Sequence, residues 1–139
     1  MAEASINYLA ILIAAIVSMV IGALWYSPVL FGKLWMKLSG ISEKQIQDAK
    51  KKGMTKSYAL AFLGTLVMSY VLAHFVDYAE ATTFASGMQT GFWIWLGFLV
   101  TTMLGTVLWE GKPVKLYFLN IAHYFVVLLI TGGMLALWA

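Results

Sequence analysis

Residues 116–139 read LYFLNIAHYFVVLLITGGMLALWA, 24 positions without one charged side chain. Bilayer hydrocarbon is about 30 Å thick and a helix rises about 1.5 Å per residue, so about 20 apolar residues cross it. This run is long enough to cross once and too short to cross twice. Outward from it, three more charge-free windows occupy residues 4–32, 57–76 and 81–109, which are 29, 20 and 29 residues long. The whole chain of 139 residues is 62% hydrophobic and 11% charged. Soluble domains have roughly 45–50% and about 25%, so the excess apolar surface here needs lipid as its solvent.

The expected fold is therefore an all-α membrane protein, a four-transmembrane-helix bundle forming one domain over residues 1–139. Spans are expected at residues 6–28, 56–77, 86–109 and 115–138, with an amphipathic cytoplasmic segment at 29–55. The first window reads as an anchor and not as a cleaved signal, because Glu3 precedes it, no basic residue does, and its apolar run exceeds the roughly 7–15 residues of a signal core.

Orientation follows from the nine lysines, seven of which lie between Lys33 and Lys56. Lys112 and Lys115 sit in the third loop, while the second loop has only Asp77 and Glu80. Basic loops stay in the cytoplasm, so both termini are expected outside. The lysine cluster suits anionic lipid headgroups better than nucleic acid, given the absence of arginine and the adjoining spans. With no cysteine in the chain, thiol chemistry, disulfides and thiolate metal sites are excluded.

Pro28 lacks an N–H and crowds the preceding turn, so the first span should kink or end near Tyr26 and Ser27. Beyond it PVLFGKLWMKL predicts an amphipathic helix in the interface, anchored by Trp35, Lys33 and Lys37. SEKQIQDAKKKG at 42–53 places Ser three residues before Gln45, acids early, lysines late and a closing glycine, which predicts a capped helix of about ten residues. Small residues four apart, Ala14, Ser18 and Gly22 in the first span and Gly87 and Gly91 in the third, predict close helix packing, within the chain or between copies.

The run GALWYSPVLFGKLWM at 22–36 resembles the signature of an uncharacterised bacterial membrane family, domain of unknown function 1761. LGFLVTT at 96–102, EGKP at 110–113 and NIAH at 120–123 extend that resemblance over essentially the full chain. It implies a compact four-span protein of a bacterial inner membrane and brings no activity, cofactor or catalytic residue with it.

Function is sought in a polar layer. Trp25, Thr102 and His123 each lie eight residues from a charge at the cytoplasmic end, hence about 12 Å inside it. Tyr26, Ser27, Thr101, Asn120 and Tyr124 fall near the same level, with Glu110 at the entrance. Asn120, His123, Tyr124 and Thr131 share one helical face, which should point inward because lipid offers no hydrogen bonds. Expected partners for the amide and imidazole are Tyr26, Thr101 and Thr102. This layer reads either as interhelical hydrogen-bond glue or as a pocket in which His123 exchanges a proton.

His74 and His123 lie about 27 Å and about 12 Å from the cytoplasmic ends, too far apart to ligate one haem iron within a chain. His74 should instead reach the outer interface beside Asp77 and Tyr78. Without a phosphate loop, nucleophile elbow or metal-ligand spacing, no enzyme activity, cofactor or metal is expected. The leading expectation is a non-enzymatic subunit or scaffold that binds its own copy or another membrane subunit. The rival is a small proton-linked or solute transporter or channel built around His123.

Overall fold

A computed structural model describes residues 6–138 as helices joined by short turns. Glu3, used above in reading the first window, lies outside the described residues, as does Ala139. Among the described residues, four helices are long and apolar enough to cross a membrane: α1 (Tyr8–Trp25), α4 (Thr55–Tyr78), α5 (Phe84–Leu108) and α6 (Val114–Leu137). Two short helices, α2 (Gly32–Ser39) and α3 (Glu43–Lys52), fill the long loop between α1 and α4. The expected fold class is the observed one.

Helix ends follow the residue chemistry. Asn7 caps α1 by accepting from the Ala10 amide, and Ser42 and Gln45 form a reciprocal capping box on α3. Lys50, Lys51 and Lys52 occupy the last turn of α3, where the macrodipole is negative. Thr83 and Ser86 cap α5 in the same reciprocal way. Pro28 ends α1 outright: the helix stops at Trp25 and the chain folds through a tight turn in which the Phe31 and Gly32 amides donate to the Trp25 and Ser27 carbonyls at 3.0 and 2.8 Å. Gly32 is buried there, and a Cβ on it would come within 2.6 Å of the Tyr26 carbonyl oxygen, so the turn admits glycine alone.

Half of the most apolar stretch of α6 is buried, against 6% for α5, which makes α6 the hub. Ala10, Ile11 and Ala14 of α1 meet Leu72, Ala73 and Val76 of α4 and Leu128 and Leu135 of α6 in one continuous core. Ala14 and Ser18 thus pack within the chain, the Ser18 hydroxyl donating to the Ala14 carbonyl at 2.9 Å.

Gly87 and Gly91 of α5 rest directly on the α6 backbone. A Cβ at Gly87 would collide with the Gly132 carbonyl, and one at Gly91 with that of Leu128. Below Gly91 aromatic side chains take over. Trp95 packs on Phe125 with centroids 4.8 Å apart and donates its indole N–H to the Ile121 carbonyl at 2.7 Å. The Tyr117 hydroxyl donates to the Val100 carbonyl at 2.6 Å.

At that level α5 widens into a π-helical turn over Trp95–Val100. A π turn shifts the ladder by one residue and leaves carbonyls available, and the Thr101 and Thr102 hydroxyls donate to those of Gly97 and Phe98.

Gly91→Leu is expected to lower stability by about 1–3 kcal/mol or more through overpacking. Gly64 of α4, where an added Cβ meets nothing within 4 Å, should accept alanine with a gain of about 0.5–1 kcal/mol. Unfolding in mixed micelles measures both. Equal losses at the two sites would contradict the packing described.

Candidate functional site

The side chains of the candidate site come from the end of α1, from α2 and from the first half of α6. Asn120, His123 and Tyr124 stand at i, i+3 and i+4 on α6 and so share a face. The Tyr26 hydroxyl crosses to that face and donates to Asn120 Oδ1 at 2.7 Å. His123 lies against the Tyr26 ring with centroids 5.2 Å apart, against Trp25 at 6.2 Å and against Tyr124 at 4.7 Å. Phe31 covers Trp25 at 4.7 Å and Trp35 of α2 meets the edge of Tyr26 at 6.0 Å.

Gly22 of α1 faces the imidazole: an added Cβ would sit 3.4 Å from His123 Nε2, an ordinary contact distance, so the arrangement does not require glycine. The sequence reading assigned Gly22 to helix packing and missed that its neighbour is the histidine.

Three nitrogens in this cluster, Trp25 Nε1 and both ring nitrogens of His123, are buried without a hydrogen-bond partner among the described residues. A tryptophan indole only donates, and a neutral imidazole offers one donor and one acceptor. Such groups are costly to bury unpaired, about 1–3 kcal/mol each. They therefore mark the position where the chain carries polarity that its own packing leaves unused.

The structure gathers five of the nine candidate layer residues: Trp25, Tyr26, Asn120, His123 and Tyr124. The other four stand elsewhere. Ser27 donates to the Leu24 carbonyl at 2.7 Å, inside the turn. Thr101 and Thr102 are exposed and bonded to their own helix, so they are not the expected partners of Asn120 and His123. Glu110 is exposed in the turn after α5 and joins none of these contacts.

Counting eight residues back from Lys33 assumes one continuous helix, whereas the chain turns at 26–31 and α2 folds back toward α6. Trp25 is the last residue of α1, not one held two turns inside it. Phe31 and Trp35 were missed as neighbours because only that turn brings them over the layer.

His74 is remote from this cluster, near the other end of α4. It stands between Tyr70 and Tyr78 with centroids 4.5 and 6.1 Å away, its Nδ1 2.8 Å from the Tyr70 carbonyl oxygen. No three His, Asp or Glu side chains gather as a metal-binding group among the described residues.

The family model described as "Protein of unknown function (DUF1761)" matches residues 9–136, and the chain belongs to that family. No curated protein and no solved structure matches it.

His123→Leu removes the unpartnered nitrogens and keeps apolar volume, so it is expected to raise stability by about 1 kcal/mol or more. A cycle of Tyr26→Phe with Asn120→Leu should return a coupling of about 0.6 kcal/mol. Reversible unfolding in mixed micelles measures both, and a marked loss on His123→Leu would show that the imidazole is held by bonds after all.

Proposed function

We propose that this member of the family is a non-enzymatic membrane subunit or scaffold that works by helix-helix association. Its lysine-rich loops face the cytoplasm and both chain ends lie outside, as the charge distribution favours. The observation that carries the reading is the open flank of α5, of whose most apolar 18 residues only 6% are buried by the rest of the chain.

That flank has the character of a packing face. Gly97, Thr101, Leu104 and Leu108 recur at four-, three- and four-residue spacing, and an added Cβ at Gly97 meets nothing within 4 Å. Lipid tails give helices no hydrophobic reason to associate, so small residues that admit a second backbone supply the contact. Gly87 and Gly91 already do this within the chain, whereas Gly97 and Thr101 are unused. The basic helix α3, with no buried residue, adds a charged surface for anionic headgroups or for the same partner.

A second reading rests on the unpartnered nitrogens of Trp25 and His123. They favour a small proton-linked or solute transporter in which the polar cluster binds its cargo. Loss of uptake in His123→Ala with the fold intact would support it over association.

The absence of native cysteine allows a direct test of association. Thr101→Cys or Leu104→Cys in native membranes should give a disulfide-linked dimer, or a linked heteromer with a second subunit. Leu12→Cys, at a position of α1 that is 41% exposed, should give neither. Equal crosslinking at all three positions, or at none, would contradict the proposal.

A further inference from the structure

α4 and α5 both lean on α6, yet between them runs a lateral groove of about 440 Å³. Gly64, Val71 and Phe75 form one wall, Ile94 and Phe98 the other, and Leu128 the floor. The lining is almost wholly apolar. Toward the α4–α5 turn the groove continues into a recess of about 530 Å³ that shares Phe75, Ile94 and Phe98 and adds Tyr78, Gln89 and Thr90. An apolar shaft thus opens into a mouth with phenol, amide and hydroxyl groups, on the side away from the lysines.

Dimensions decide what fits. Gly64 to Phe75 is eleven residues, about 16 Å of helix rise. A polymethylene chain, whose width is set by carbon contacts of about 4 Å, lies lengthwise along such a groove with its methylenes against the apolar lining.

Gly64 makes the inner end of the shaft. No neighbour needs its missing side chain, since a Cβ there would meet nothing within 4 Å, and mid-helix glycine costs about 0.5–1 kcal/mol relative to alanine. The π turn that carries Phe98 into both parts of the groove is a further departure from regular helix at the same level, of a kind frequent at functional sites.

The sign of charge selects the headgroup. In the α4–α5 turn Glu80 is exposed, and no lysine lies between Lys56 and Lys112. A net anionic headgroup is disfavoured there, and an ammonium group is favoured.

We propose that this groove is a lipid-binding site that holds one acyl chain of an amine-bearing zwitterionic phospholipid from the leaflet opposite the lysine-rich loops. The headgroup lies at Gln89 and Thr90 with its ammonium toward the acidic turn, and the chain runs down to Gly64. This inference is independent of the association reading, which uses the flank bearing Gly97.

The test is native mass spectrometry of the full chain released from nanodiscs of equimolar phosphatidylethanolamine and phosphatidylglycerol. One phosphatidylethanolamine should remain per chain, in about tenfold excess over phosphatidylglycerol. Gly64→Leu, which fills the shaft, should cut that retained lipid at least tenfold, while Gly97→Leu, outside the groove, leaves it unchanged. Glu80→Gln should erase the headgroup preference and keep a bound lipid, which tests the site even where Gly64→Leu fails to fold. Adducts that mirror the nanodisc composition, a preference for phosphatidylglycerol, or full retention by a folded Gly64→Leu variant would each overturn the proposal. Because retention is read per chain, its failure leaves the crosslinking result untouched.

Discussion

The contact on which the rest of this structure depends is the backbone approach of α5 to α6 at Gly87, Gly91 and Gly132. In lipid, apolar side chains have equally good company on every side, so burial alone gives no reason for two helices to meet. Close approach at glycine supplies dispersion contacts that a lipid chain matches poorly. The fit is local: Phe84 packs against Gly133, where a Cβ would crowd its ring, and beyond Gly91 the Trp95 and Tyr117 side chains span the gap by hydrogen bonds to the facing backbone. Holding α5 on α6 in this way leaves its other sides uncovered. From that follow both the groove beside α4 and the open stripe through Gly97.

α6 serves two purposes along its length. Its second half carries Val127, Leu128, Thr131, Gly132 and Gly133, all buried, and takes the weight of packing. Its first half presents Asn120 and His123 to the end of α1, where Pro28 and Gly32 turn the chain so that Trp25 and Tyr26 lie against the imidazole and Trp35 meets Tyr26. Thr131 shares the Asn120 and His123 face, yet its hydroxyl is satisfied by the Val127 carbonyl at 2.6 Å. The unused hydrogen-bonding capacity therefore concentrates at the α1 end, where a local turn, not helix-helix packing, builds the enclosure.

Much of the fold was legible because charge is intolerable in hydrocarbon: wherever Lys, Asp or Glu stops for about 20 residues, a span is required. The α3 cap was equally legible, since Ser42 and Gln45 satisfy amides at a distance set by the helix itself. Side-chain partners were harder to read. Thr101 and Thr102 looked like members of a polar layer because they fall at the depth of His123, but a helix carbonyl four residues back takes up each hydroxyl. Distance counted from Lys33 put Trp25 level with His123, where it lies, although Pro28 breaks the helix over which it was counted. Gly87 and Gly97 look alike in the sequence, and only the packed helices tell the used face from the unused one. The π turn left no signal beyond Gly97 and the paired threonines, which also suit an ordinary helix.

The glycine contact between α5 and α6 can be observed in the bilayer itself. Magic-angle-spinning NMR of glycine-labelled protein in lipid bilayers reads it directly. Cross-peaks between the Gly87 and Gly132 α-protons are expected, and between Gly91 and the backbone of Leu128. Cross-peaks from Gly87 and Gly91 to lipid acyl protons, with none to Gly132, would contradict it.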